Sequence, residues 1–267
     1  MKRELKIIVL SLTLLLGLCS LNVSTAQAAK VKTDKFYQKI GNTEKAQKFK
    51  NRTFVSCYVN KKGYQLLISQ RGKKQIFITS MEKYMYTNGR YLVYATDFEA
   101  RGKETNIVYR MDMNTGRKTQ LMKGTKLTVR GAYGNYIYYG TDQDTQGIDM
   151  YAYDLKKKTS RHMVAGSEEV KAVTDQMVVV THHANDVDNY MAYRFKPNGT
   201  AKKKLFKAQE IYVKNGFIYW TSIDDVNYSD TLCLRRCNYN LKKCTYITDY
   251  VSYEEMTKVL KHYRLSN

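Results

Sequence analysis

Tyr91-Leu92-Val93-Tyr94, Tyr136-Ile137-Tyr138-Tyr139, Met177-Val178-Val179-Val180 and Phe217-Ile218-Tyr219-Trp220 are four short apolar stretches that begin 45, 41 and 40 residues apart. A turn signal stands before each: Asn88-Gly89, Gly134-Asn135, Asp175-Gln176 and Asn215-Gly216. Three of these four are Gly/Asn pairs, the residues that accept the positive φ a tight hairpin demands. After each stretch come a polar loop and a third strand, at 107–112, 150–154, 190–195 and 232–239. A second turn follows, then a short fourth strand ending near Leu121, Met163, Leu205 or Ile247. Asp112, Asp154, Lys196 and Asn240 take equivalent places in this scheme. Four strands at a period of about forty residues form a unit that must stack on its neighbours to bury its apolar faces. The expected fold is therefore all-β: a β-propeller of four-stranded antiparallel blades.

Working outward, residues 54–59, 64–69 and 75–79 read as the last three strands of an earlier unit. Its innermost strand comes either from 35–41 or, by ring closure, from the other end of the chain. Five units are thus visible, and a degenerate sixth is compatible with the length. A linear β-array is the competing architecture, but a closed ring leaves no exposed sheet edges. Beyond the last unit, Ser252-x-x-Glu255 is a capping box, and Met256, Val259, Leu260 and Tyr263 recur at helical spacing. The expected organisation is a β-propeller domain at 29–251 and, at 252–267, a C-terminal helix packed on it.

The first 28 residues read as a cleavable signal peptide. Lys2, Arg3 and Lys6 make a positive start, Ile7 to Val23 is apolar, and Ala26-Gln27-Ala28 supplies the small residues of a cleavage site. No later stretch is long and apolar enough to span a bilayer, so the mature chain is expected outside the cell, secreted or loosely surface-associated. The whole chain carries +21. Because the leader holds three of the 45 basic and one of the 24 acidic residues, the remainder keeps +19. Such a charge favours anionic surfaces, whether cell-wall polymers, acidic glycans or anionic lipids, and the expected partner is an anionic cell-wall polymer or a surface protein. Nucleic acid would suit the charge equally, but export argues against it. Cys57, Cys233, Cys237 and Cys244 remain after cleavage, and an even count outside the cytosol invites disulfides. With a two-residue turn at Asn240-Leu241, Cys237 faces Cys244 across a hairpin, close enough to bridge. Cys57 and Cys233 would then be left to join the first and last units. The spacing of Cys233, Cys237 and Cys244 does not suit a zinc site, and no cofactor is expected.

Alternating strands divide the repeat into two ends of opposite charge. The turns after third strands carry Arg71, Lys73 and Lys74; Arg117 and Lys118; Lys156, Lys157 and Lys158; Lys202, Lys203 and Lys204; and Lys242 and Lys243. Together they would form a basic face that meets several negative groups of a polyanion at once. Lysine also belongs on exposed turns, where it discourages aggregation. The loops after second strands carry Asp97, Asp142, Asp144, Asp149, Asp186, Asp188, Asp224, Asp225 and Asp230. Asp in such loops commonly caps its own turn. His182-His183, beside Asp186 and Asp188, is the one gathering of histidine and carboxylates, although adjacent strand residues point to opposite faces. Neither G-x-S-x-G nor HExxH occurs. Most of the 24 tyrosines suit packing between blades.

Tyr94-Ala95-Thr96-Asp97 and Tyr139-Gly140-Thr141-Asp142 are both Y-x-T-D, and Tyr219-Trp220-Thr221-Ser222 is Y-W-T-S. This wording resembles the YWTD-type propellers of the low-density-lipoprotein-receptor family, and still more the secreted propeller domains of Gram-positive bacteria. The resemblance covers residues 52–249 and departs at Val180-Thr181-His182-His183, where the motif Tyr and Asp are missing. Those propellers are six-bladed, whereas five units are visible here. The resemblance implies a fold and a habit of binding proteins, with no catalytic residues to carry over. The expectation is a secreted, non-enzymatic binding module that uses its basic face. The alternative is a glycan-active hydrolase or lyase using the Asp-rich loops.

Overall fold

The computed structural model describes residues 35–41, 43–59, 63–79, 81–96, 105–142, 148–183, 190–223 and 231–265. Residues 1–28, expected to be a signal peptide, and nearly all of the Asp-rich loops lie outside the described residues. After β1 (Gln38–Gly41), the chain forms five antiparallel meanders of four strands. Blade 1 is β2 (Gln47–Phe49), β3 (Arg52–Val59), β4 (Gly63–Ser69) and β5 (Ile76–Thr79). Blade 2 is β6 (Met81–Thr87), β7 (Tyr91–Thr96), β8 (Thr105–Asp112) and β9 (Lys118–Thr125). β10 (Leu127–Tyr133), β11 (Tyr136–Asp142) and β12 (Ile148–Asp154) open blade 3. β13 (Thr159–Val173) then serves two blades, pairing with β12 up to Ser167 and with β14 (Val178–His183) from there on. Gly166, at φ 60°, stands at the change-over, in a conformation that glycine adopts without steric cost. β15 (Tyr190–Phe195) and β16 (Lys203–Ala208) complete blade 4. β17 (Glu210–Lys214), β18 (Phe217–Ile223), β19 (Thr231–Asn238) and β20 (Cys244–Ser252) form blade 5, and α1 (Tyr253–His262) ends the chain.

The second strands hold the blades together. Numbered from Tyr91, Tyr136, Met177 and Phe217, their second residues are Leu92, Ile137, Val178 and Ile218, all buried against the preceding blade. The third residues, Val93, Tyr138 and Val179, turn to the following blade, and Tyr219 turns to α1. The fourth, Tyr94, Tyr139, Val180 and Trp220, return to the preceding one. Period-two alternation thus feeds two different cores from one strand. Each buried aliphatic or aromatic side chain contributes about 1.5–3 kcal/mol to the stack.

Several sequence expectations need correction. Residues 35–41 do not supply the inner strand of blade 1; β2 does. Instead β1 pairs with β6 of blade 2, Ile40 opposite Met85, and Phe36 bridges to Tyr133 of blade 3. The cause is apolar spacing: Ile40 enters the core between blades 1 and 2, and Tyr37 the core between blades 2 and 3. Asn240 is not the equivalent of Asp112 and Asp154. Those two lie opposite the first residue of their second strand, and in blade 5 that place belongs to Asn238, opposite Phe217. The Y-W-T-S tetrapeptide is also out of register by one residue, since Trp220 and not Tyr219 matches Tyr94 and Tyr139. Cys237 pairs with Cys244 and the two are disulfide-bonded, but the connection between their strands has five residues rather than two. Cys57 and Cys233 are free. Each is satisfied inside its own blade, Cys57 facing the Gln65 carbonyl and Cys233 lying 3.1 Å from Ser222 Oγ, so neither reaches across to the other.

Among the described residues, no core joins blade 5 to blade 1. The side of blade 5 turned away from blade 4 is covered by α1. Ser252 caps it through a reciprocal capping box with Glu255, and Met256 and Leu265 bury against Tyr219, Leu232 and Leu234. On the inner strands, Lys171 Nζ lies 2.9 Å from Glu169 and 3.5 Å from Glu210, and Lys39 of β1 lies 3.7 Å from Glu169. Burial alone would raise the Glu169 carboxyl, but the Lys171 hydrogen bond and the charges of Lys171, Lys39 and Arg130 outweigh it and hold the carboxyl below its ordinary value.

Met256→Ala is expected to cost about 2–4 kcal/mol, read as a lower urea midpoint. It would leave Leu232 and Leu234 facing a void. The Glu169 contribution is present above the ordinary glutamate value and fades as pH falls through the lowered one. Glu169→Gln should therefore lose less stability than wild type on acidification from about pH 6 to about pH 3, by up to about 1 kcal/mol for so exposed a pair. Parallel denaturation curves at the two pH values measure it.

Candidate binding face

Four is an even number of strands, so the chain leaves each blade at the end where it entered. Turns after third strands therefore share one end of every blade, together with the tight turns between first and second strands. The structure puts all the predicted basic residues there: Lys73, Lys74, Arg117, Lys118, Lys156, Lys157, Lys158, Lys202, Lys203, Lys204, Lys242 and Lys243. Every one is exposed.

A recurring device shapes these turns. The Asp112 carbonyl accepts from Gly116 N (2.8 Å), and its carboxylate accepts from Asn114 N (2.9 Å). Asp154 repeats this, its carbonyl accepting from Lys158 N (2.7 Å) and its carboxylate from Lys156 N and Lys157 N. In blade 5, Asn238 accepts from Leu241 N through its carbonyl and from Lys242 N through its side chain. A short side-chain acceptor that bonds the backbone two to four residues on closes the turn locally, which leaves the lysine side chains to point outward.

Three of the turns are also tied to the preceding blade. Arg52, buried at the start of β3, donates to Asn114 Oδ1 at 2.6 Å and to the Met113 carbonyl. Tyr138 of blade 3 donates to the Pro197 carbonyl at 2.8 Å, and Arg194 of blade 4 donates to the Tyr239 carbonyl at 3.2 Å. These ties hold the basic turns in fixed relation to one another. No simple sequence pattern announced them, because donor and acceptor are 45 to 62 residues apart.

Two grooves open at this end, each between the outer strands of adjacent blades. One, of about 690 Å³, lies between blades 1 and 2 and is lined by Lys73, Lys74, Phe77, Met113, Asn114 and Lys118. The other, of about 350 Å³, lies between blades 4 and 5 and is lined by Lys203, Lys204, Phe206, Trp220, Arg235 and Tyr246. Arg235 was not among the residues expected at this face. One signal was available: Tyr109, Tyr151, Tyr193 and Arg235 recur every 42 residues, so Arg235 breaks a tyrosine series.

At the opposite end, Asp97, Asp144, Asp186, Asp188, Asp224, Asp225, Asp230 and the His183 side chain lie outside the described residues. His182 is half-buried, with its ring edge-on to Tyr193. Among the described residues no three His, Cys, Asp or Glu side chains gather as a metal site would require. No helix there is long and apolar enough to cross a membrane.

No protein-family model matches the chain, and no curated protein matches it. Its fold is similar to several solved structures. One is from a study of two prolyl endopeptidases (TM-score 0.58, 13% identity, covering 83% of this chain and 36% of that one). Another is the β-propeller domain of the trilobed protease from Pyrococcus furiosus, described as having an open velcro topology (TM-score 0.54, 10% identity, 78% and 71%). A third is an oligogalacturonate lyase in complex with manganese (TM-score 0.54, 10% identity, 79% and 66%). The chain spans about one third of the endopeptidase and just under two thirds of the lyase. At such identities the likeness is one of fold: the chain is an all-β propeller of four-stranded blades with one C-terminal helix.

Proposed function

We propose that the protein is a secreted, non-enzymatic binding module that engages an anionic cell-surface polymer, or a surface protein of like charge, through its basic face. The observation that carries this reading is the gathering of twelve exposed lysine and arginine side chains at one end of the blades. Each exposed contact contributes about 0.2–1 kcal/mol. A repeating polyanion engages several at once, so the sum is strong and salt-sensitive. Edge protection alone would not call for an acidic cap that holds the triple lysine of blade 3 outward, or for a second triple lysine at the matching turn of blade 4. A surface protein would need matching acidic clusters; a polymer needs only its repeat. Kinship with YWTD-type propellers is proposed on Tyr94-Ala95-Thr96 and Tyr139-Gly140-Thr141, the two copies that share a register. A hydrolase or lyase would draw on the Asp-rich loops at the opposite end.

The test is cosedimentation of the mature chain with cell walls, intact or stripped of teichoic acid, across a salt series. The expected result is binding that needs the polymer and falls steeply with salt. Replacing Lys156, Lys157 and Lys158 together, or Lys202, Lys203 and Lys204 together, by Gln should weaken it by about 5- to 30-fold. Absence of binding at low salt would sink the polymer reading.

Lys158 separates charge from conformation. It sits at φ 55°, a left-handed geometry that costs a residue bearing a Cβ about 1 kcal/mol. Gly116, its counterpart in blade 2, is at φ 73°. Lys158→Gly should raise the unfolding midpoint by up to about 1 kcal/mol of stability while weakening wall binding by no more than one charge does.

A further inference from the structure

Unlike the groove between blades 1 and 2, the groove between blades 4 and 5 holds donors without partners in the chain. Trp220 is 4% exposed, and its indole N–H is buried with no acceptor. The Nε–H of Arg235 is buried and likewise unmatched. The two residues lie directly opposite each other on β18 and β19, so their side chains stand about 5 Å apart at Cβ. Buried donors are nearly always satisfied in native proteins, by the chain, by water or by a ligand, and two neighbours with no acceptor in the chain make this groove a place for one. The lining contains no Asp or Glu, and Lys203 and Lys204 stand on its rim. Every charge in the groove is therefore positive.

The groove also has an apolar wall and a cover. Phe206 stacks on Trp220 with ring centroids 3.9 Å apart and planes 9° from parallel. Tyr246, opposite Arg235 on β20, lies over its guanidinium at 4.3 Å and is 61% exposed. In blades 2, 3 and 4 the places of Arg235 and Tyr246 are held by Tyr109 and Gln120, Tyr151 and His162, and Tyr193 and Lys204. Only blade 5 of these four puts its cation inside and its aromatic ring outside. The Cys237–Cys244 disulfide, two pairs along the same two strands, pins their spacing.

We infer that this groove binds the carboxylate of an acidic sugar unit. Arg235 and Trp220 would donate to its two oxygens, the Phe206–Trp220 stack would carry the ring, and Tyr246 would swing aside as the unit enters. The two oxygens of a planar carboxylate can take both side-by-side N–H donors at once, and the volume is that of a small-ligand site. This inference takes only the source of its ligand, a surface polymer, from the preceding reading.

Trp220 is the only tryptophan in the protein, so its fluorescence reports this groove and no other. The mature chain is titrated with glucuronate, glucose and glycerol phosphate. A saturable change in Trp220 emission with glucuronate and none with glucose is expected, and Arg235→Gln should weaken it by about 10- to 100-fold. If Arg235→Gln folds poorly, Lys204→Gln on the exposed rim replaces it, with a weakening of about 2- to 5-fold expected. Tyr246→Ala should leave the response in place. A flat titration with glucuronate, a response unchanged in Arg235→Gln or, where that variant folds poorly, in Lys204→Gln, or a response to glycerol phosphate alone would overturn the assignment. Wall binding that persists with a silent Trp220 would sink this site and leave the basic face standing. A glucuronate response in a chain that does not bind walls would do the reverse.

Discussion

Each second strand sends alternate side chains into different cores, and everything else in the structure depends on that. Val93 and Tyr94 are neighbours in sequence, yet one packs with blade 3 and the other with blade 1. A blade therefore has no core of its own, and its burial is complete only when both neighbours are present. Blade 5 has no sixth blade beyond it among the described residues, so its outward apolar residues, Tyr219, Leu232 and Leu234, need another cover. The helix α1 supplies it, which explains why a single amphipathic helix follows twenty strands. Stability in such a stack is approximately a sum of unit and interface terms, and the two ends are where it is won or lost.

The same stacking organises the surface. Because the blades are in register, their basic turns come to one end, and the cross-blade donors Arg52, Tyr138 and Arg194 couple three of those turns, in blades 2, 4 and 5, to the preceding blade. The charged side chains are then presented from a stiff frame rather than from independent loops, which reduces the ordering entropy that a bound polyanion would otherwise cost. The groove between blades 4 and 5 arises where the repeat is broken. Replacing the recurrent tyrosine by Arg235 removes a ring that packs beside the second strand and puts an unmatched donor next to Trp220. A local departure from an otherwise consistent pattern, without compensation inside the chain, is the kind of place where function is expected.

Two departures from the sequence expectation share one cause. Asn240 was aligned with Asp154, and Tyr219 with Tyr139, because both match by type within one or two residues. Strand pairing moves every side chain to the other face with a slip of one residue, so type alone could not settle either. Residues 35–41 were recognisable as a strand, but its partner is β6, some 45 residues on, chosen by where Tyr37 and Ile40 find cores. The link between Cys57 and Cys233 failed because each thiol already has a neighbour in its own blade.

The sequence by itself determined the fold class, the number of blades seen, the C-terminal helix with its capping box, the Cys237–Cys244 pair and the clustering of lysine on the turns after third strands. All of these are written in periodicity, turn chemistry and contacts a few residues apart. Only the tertiary structure decided which cores the alternating residues enter, where β1 docks, how Arg52, Tyr138 and Arg194 brace the turns, and that Trp220 and Arg235 share a groove with Phe206. Those facts rest on register and on contacts between blades, and neither has a local signature, because the apolar residues that stack one blade on the next are interchangeable until their neighbours are in place.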